Sequence, residues 1–135
     1  MSTRQVSNSN DPVIEDLAQL VEPMIGGEKP KDRWRIGTEH EKFVYCTNDH
    51  HAPSYDEPGG IRDLLLAMRE FGWKPVEENG KVIAMSGTDG AISLEPAGQL
   101  ELSGAPLENL HETCNETGRH LEQVKAIGEK TGKGF

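Results

Sequence analysis

The segment Ile92-Ser93-Leu94-Glu95-Pro96-Ala97-Gly98-Gln99-Leu100-Glu101-Leu102-Ser103 constrains the fold more than any other stretch of the chain. Side chains alternate across a β-strand, so Ile92, Leu94, Leu100 and Leu102 fall on one face while Ser93, Glu95, Gln99, Glu101 and Ser103 fall on the other. That pattern requires a sheet with one face on a core and one face open. A tight hairpin at Ala97-Gly98 would pair Glu95 with Leu100 and throw Glu101 to the apolar side. One strand, bent or bulged at Pro96–Gly98, is therefore expected.

The rest of the chain supplies partners for such a sheet. Asp11 and Pro12 read as the N-cap and first residue of a helix carrying Val13, Leu17, Leu20 and Val21, closed before Gly26-Gly27. Trp34 to Tyr45 reads as a strand, and residues 46–60, rich in Asn, Asp, His, Pro and Gly, as a loop long enough to be functional. Ile61, Leu64, Leu65 and Met68 mark a second helix, with Gly72 as its left-handed terminator. Asn79-Gly80 between 74–78 and 81–86 is a strong hairpin signal, because both residues tolerate positive φ. Pro106 is placed to open a long third helix whose stripe holds Leu107, Leu110, Cys114, Leu121 and Val124. Hairpins with helices to one side give an α+β class, an antiparallel sheet with helices packed on one face.

Composition narrows the function. With 23 Asp and Glu against 14 Lys and Arg, the net charge is −9, which opposes the counterion-releasing contacts of nucleic-acid binders. No run approaches the ~20 apolar residues of a membrane span, and MSTRQVSNSN has no apolar leader core, so a cytoplasmic protein is the expectation. Cys46 and Cys114 are too few for a disulfide framework and are expected to be reduced, partly buried thiols. His111 and His120 face opposite sides of one helix, and His50-His51 lacks a matching cysteine pair, so spacing points to no zinc site.

Glu39 and Glu41, two apart in the expected strand 34–45, project to one face about 7 Å apart. With Glu95 and Glu101 they make an oxygen-rich set suited to Mg²⁺ or Mn²⁺. The separation also matches the acid and base of an inverting glycosidase, about 6.5–9.5 Å apart, but only 5% of residues are aromatic, too few for sugar platforms.

Ile-Gly-Thr-Glu-His-Glu-Lys-Phe at 36–43 and Ser-Leu-Glu-Pro-Ala-Gly-Gln-Leu-Glu-Leu-Ser-Gly-Ala-Pro-Leu-Glu at 93–108 closely resemble signature segments of glutamate–cysteine ligases of the plant and proteobacterial type. The likeness continues through 110–114 and 123–129, and departs at Ala97, where that family usually has glycine. The resemblance implies a glutamine synthetase-like catalytic fold, with residues 11–135 an incomplete N-terminal portion of the catalytic domain behind a disordered polar lead at 1–10. It implies ATP-dependent ligation of cysteine to the γ-carboxylate of glutamate through an acyl phosphate, the first step of glutathione synthesis. It further implies glutamate, cysteine and ATP as partners, Mg²⁺ or Mn²⁺ on Glu39, Glu41, Glu95 and Glu101, Gln99 toward substrate or a metal-bound water, and no covalent nucleophile. The remaining alternative is a truncated, non-catalytic metal-binding module or another carboxylate–amine ligase. Cys114 resembles one half of a redox-sensitive disulfide of plant members, although a buried free thiol is the expectation for this chain.

Overall fold

The computed structural model describes residues 13–88 and 90–135. Residues 1–10 and the helix start expected at Asp11-Pro12 lie outside that range. Ten elements follow in order: α1 (Ala18–Gly26), β1 (Glu39–Lys42), β2 (Tyr45–Cys46), α2 (Ile61–Ala67), β3 (Lys74–Glu78), β4 (Lys81–Ser86), β5 (Ala91–Glu95), β6 (Gln99–Ser103), α3 (Leu110–Thr131) and β7 (Lys133–Gly134). Five strands form one antiparallel sheet in the order β1-β6-β5-β4-β3, and β2 pairs with β7 in a separate ribbon. The class is α+β.

One face of the sheet carries the core. Val82 and Met85 of β4, Ile92 of β5 and Leu100 and Leu102 of β6 pack with Leu64, Leu65 and Met68 from α2 and its 3₁₀ extension, and with Val124 and Ile127 of α3. The helix α2 ends where Gly72 takes the left-handed conformation at φ 89°, as its sequence requires. Asn79 and Gly80, at φ 50° and 75°, close the β3–β4 hairpin. Between Val76 and Glu77 the register with β4 shifts past Ile83, and Pro75 lacks an N–H, so the edge strand β3 is irregular.

Several expectations change. Residues 92–103 are not one strand. They form the β5–β6 hairpin, joined by Pro96–Gly98, with Glu95 opposite Gln99, Leu94 opposite Leu100 and Ser93 opposite Glu101. A three-residue connection pairs residues of equal parity, so the hairpin keeps Ser93, Glu95, Gln99, Glu101 and Ser103 on one face; the two-residue turn does not. The stretch 34–45 is likewise divided: only Glu39–Lys42 joins the large sheet, Ile36 makes a single bridge to Leu107, and Tyr45 belongs to the small ribbon.

The helix α3 begins at Leu110, not Pro106, because the bridge to Ile36 occupies Leu107 and the Asn109 side chain caps the amides of His111 and Glu112. Its buried face is Glu116, His120, Val124, Ile127 and Gly128, whereas Leu110, Cys114 and Leu121 are exposed. Cys114 is thus an exposed thiol and Cys46 a buried one. The first helix, α1, starts later than its apolar pattern suggests. Just before it, the Asp16 carboxylate accepts from the Gln19 amide and the Gln19 side chain accepts from the Glu15 amide, which ties the entering chain to the first turn. None of its residues is buried.

Candidate metal and substrate face

The open face of the sheet is built by β1, β6 and β5 in register. Glu39 stands opposite Ser103, Glu41 opposite Glu101, and Glu101 in turn opposite Ser93 on its other side. Glu95 and Gln99 face each other at the mouth of the hairpin. All five residues singled out in the sequence therefore share one surface on three adjacent strands. Directly opposed residues have Cβ atoms about 4.5–5.5 Å apart, close enough for one cation to serve two carboxylates.

The environments of these groups differ. Glu39 and Glu41 are exposed, Glu95 and Gln99 half-buried, and Glu101 buried. The Ser103 hydroxyl donates to Glu101 Oε1 at 2.8 Å and the Ser93 hydroxyl to Oε2 at 3.2 Å. Burial pushes the Glu101 carboxyl up, but side-chain hydrogen bonding, led by the Ser103 hydroxyl, holds the group below its ordinary range. Beside Glu39, a groove of about 240 Å³ is lined by Gly37, Thr38, Glu39, Ser103 and Gly104.

Behind the sheet lies a polar cluster that helical periodicity alone missed. His120 of α3 is buried with neither ring nitrogen hydrogen-bonded, and its ring meets that of His40 edge-on at 6.3 Å between centroids. Lys42, also buried, donates to the His40 carbonyl at 2.9 Å; burial pushes its amine down to about 8. Glu116 accepts from the Ala105 amide at 2.7 Å. Its other oxygen lies 2.2 Å from where a Cβ at Gly104 would stand, so a larger residue there would push the Glu116 carboxylate aside. Glu116 and His120, with Arg119, Gln123, Phe71 and Trp73, line a cavity of about 170 Å³. The readable signal was a polar stripe at 116, 119, 120 and 123, spaced as one helix face.

Comparison with known proteins now bears on this face. A family model described as glutamate-cysteine ligase family 2 matches residues 35–135, three quarters of the chain and every residue of the carboxylate face. The chain belongs to glutamate-cysteine ligase family 2. Among individual members of this family, it is 46% identical to "Glutamate--cysteine ligase A, chloroplastic" of Oryza sativa subsp. japonica over an alignment covering 92% of this chain and 27% of that protein. It is 44% identical to the chloroplastic glutamate–cysteine ligase of Brassica juncea, covering 98% and 25%. For the chloroplastic enzyme of Medicago truncatula the identity is 47%, covering 86% and 22%. The chain thus spans about a quarter of the length of the curated relatives it matches. Their names overturn the cytoplasmic expectation. A missing apolar leader core excludes only secretory-type signals, because plastid transit peptides are amphipathic and rich in Ser and Arg.

Proposed function

We propose that the complete protein containing this chain is a glutamate–cysteine ligase that uses ATP to activate the γ-carboxylate of glutamate. The γ-phosphoryl group passes to a γ-carboxylate oxygen of glutamate; the cysteine amine then attacks the acyl carbon and phosphate leaves, giving γ-glutamylcysteine. The observation that carries this reading is the register of β1, β6 and β5, which gathers Glu39, Glu41, Glu95 and Glu101 on one face within the segment matched to the family.

The donor set fits Mg²⁺ or Mn²⁺. Every candidate ligand is a carboxylate oxygen, and Glu41 directly opposite Glu101 is a like-charge pair that an intervening cation relieves. When bound, the metal neutralises phosphate oxygens. Glu39, Glu41, Glu95 and Glu101 would hold it, and the serine hydroxyls on Glu101 fix the buried carboxylate in place. Gln99, a neutral amide opposite Glu95, is assigned in this reading to substrate or a metal-bound water. Lys42 cannot serve phosphate on this face, since it lies on the opposite side with Leu100 and Leu102. In this reading the phosphate-binding cations lie off this face, and the 135-residue chain by itself is expected to bind metal without turnover.

Two measurements test the reading. Mn²⁺ titrations of the chain and of its four single Glu→Gln variants should show affinity falling about tenfold or more for each ligand lost. Unchanged affinity in all four would remove the metal assignment. For the activity, mass spectrometry of a longer protein containing this segment, supplied with ATP, glutamate and a panel of amines, should find γ-glutamylcysteine; preference for a non-thiol amine would place it among other carboxylate–amine ligases.

A further inference from the structure

A second donor cluster forms where β2 runs into the loop before α2, away from the carboxylate face. Cys46 Sγ lies 3.4 Å from His51 Nε2 and 4.0 Å from Glu57 Oε1, and that nitrogen and oxygen are 3.3 Å apart. A tetrahedral Zn²⁺, with Zn–S of about 2.3 Å and Zn–N or Zn–O of about 2.0–2.1 Å, sets its donors roughly 3.3–3.6 Å apart. Two edges of the triangle already fit, and the third needs a shift of roughly half an ångström.

Each donor is held by a partner outside the triangle. His51 Nδ1 is 2.6 Å from Asp49 Oδ1, the carboxylate–imidazole arrangement that turns the other ring nitrogen toward a metal. Ser54 donates its amide and its hydroxyl to Glu57 Oε2, at 3.0 and 3.1 Å, leaving Oε1 for the cluster. The chain reversal is fixed by backbone bonds from the Cys46 amide to the His51 carbonyl and from the His50 amide to the Cys46 carbonyl. Cys46 is buried, while the His51 side chain is 48% exposed, which provides a route of entry. Thiolate, imidazole and carboxylate together select a borderline ion over Mg²⁺, and their two negative charges balance one divalent cation.

We propose that Cys46, His51 and Glu57 form a Zn²⁺ site, its fourth position open to water, that ties the loop 47–60 to β2. Binding displaces the Cys46 thiol proton to solvent. The spacing Cys-x₄-His-x₅-Glu matches none of the paired cysteine and histidine patterns, so the site is assembled by the fold and does not announce itself in sequence. A Cys–His–Asp arrangement also suits a nucleophile with its base, but here the thiol is buried and a carboxylate abuts both sulfur and nitrogen, which opposes a bare thiolate.

The test uses Co²⁺ as a spectroscopic stand-in, in the Cys114→Ser protein so that Cys46 is its one thiol. The expected result is a thiolate-to-cobalt charge-transfer band that saturates at one equivalent and is abolished by Zn²⁺ but not by excess Mg²⁺. His51→Gln and Glu57→Gln should each weaken Co²⁺ affinity about tenfold or more with unchanged circular dichroism. Since Cys46→Ser disturbs a buried position, the His51 and Glu57 variants decide. No charge-transfer band in the folded protein, or an affinity unmoved by either variant, overturns the site; neither result touches the carboxylate face, which has no sulfur.

Discussion

Ala97 occupies the left-handed region at φ 64°, where a Cβ crowds the neighbouring carbonyl at a cost of about 1–2 kcal/mol. Ala97→Gly should therefore raise stability by about 1 kcal/mol, read as a higher urea midpoint at constant m-value. His120 gives a pH dependence. Burial, reinforced by Lys42 and His40, pushes its imidazole down to about 3, so it stays neutral in the folded chain while the unfolded chain takes up a proton below about pH 6.5. The unfolded state then binds more protons, and stability present above about pH 6.5 is lost as pH falls toward 3, by up to about 1.4 kcal/mol per pH unit. Urea midpoints across that window should fall more steeply for the native protein than for His120→Leu. Equal slopes would show that His120 is not the group responsible.

At the scale of elements, legibility depended on whether a local signal had a tertiary rival. The β3–β4 hairpin matched its sequence to the residue, because Asn79 and Gly80 can take positive φ without help from the rest of the fold. The start of α3 did not match. Pro106 suits a first helical position, yet Leu107 exchanges both backbone hydrogen bonds with Ile36, leaving Asn109 to cap the helix. Asn109→Ala should cost about 1 kcal/mol in thermal or chemical denaturation. The polar face of β5 and β6 was legible for a reason independent of the chain path, since side-chain parity survives both a bent strand and a three-residue hairpin. The buried face of α3 was not, because Glu116 and His120 enter the interior where periodicity seeks only apolar residues. Cys46, His51 and Glu57 were equally hidden, since a loop without a period brings them together.

For the whole molecule, the apolar surface left open is informative. Val13, Leu17, Leu20, Met24 and Ile25 around α1, and Leu110 and Leu121 on α3, are exposed, and covering apolar area is worth about 25 cal/mol per Å². The chain prepared by itself is expected to associate with concentration in sedimentation velocity, and Leu20→Lys combined with Leu121→Lys should return it toward monomer. A monodisperse native monomer would show these faces to be tolerated. The two margins of the sheet are also unequal. The β3 margin is blunted by Pro75 and a register shift, whereas β1, which among the described residues pairs in the sheet with β6 alone, offers a regular ladder on its outer side. A further strand docking there, from elsewhere in a longer polypeptide or from another molecule, would run about 4.8 Å from Glu39 and Glu41 and project its own side chains between them and solvent. The carboxylate face is in that sense open along the β1 flank, and a strand added there would become a neighbour of Glu39 and Glu41.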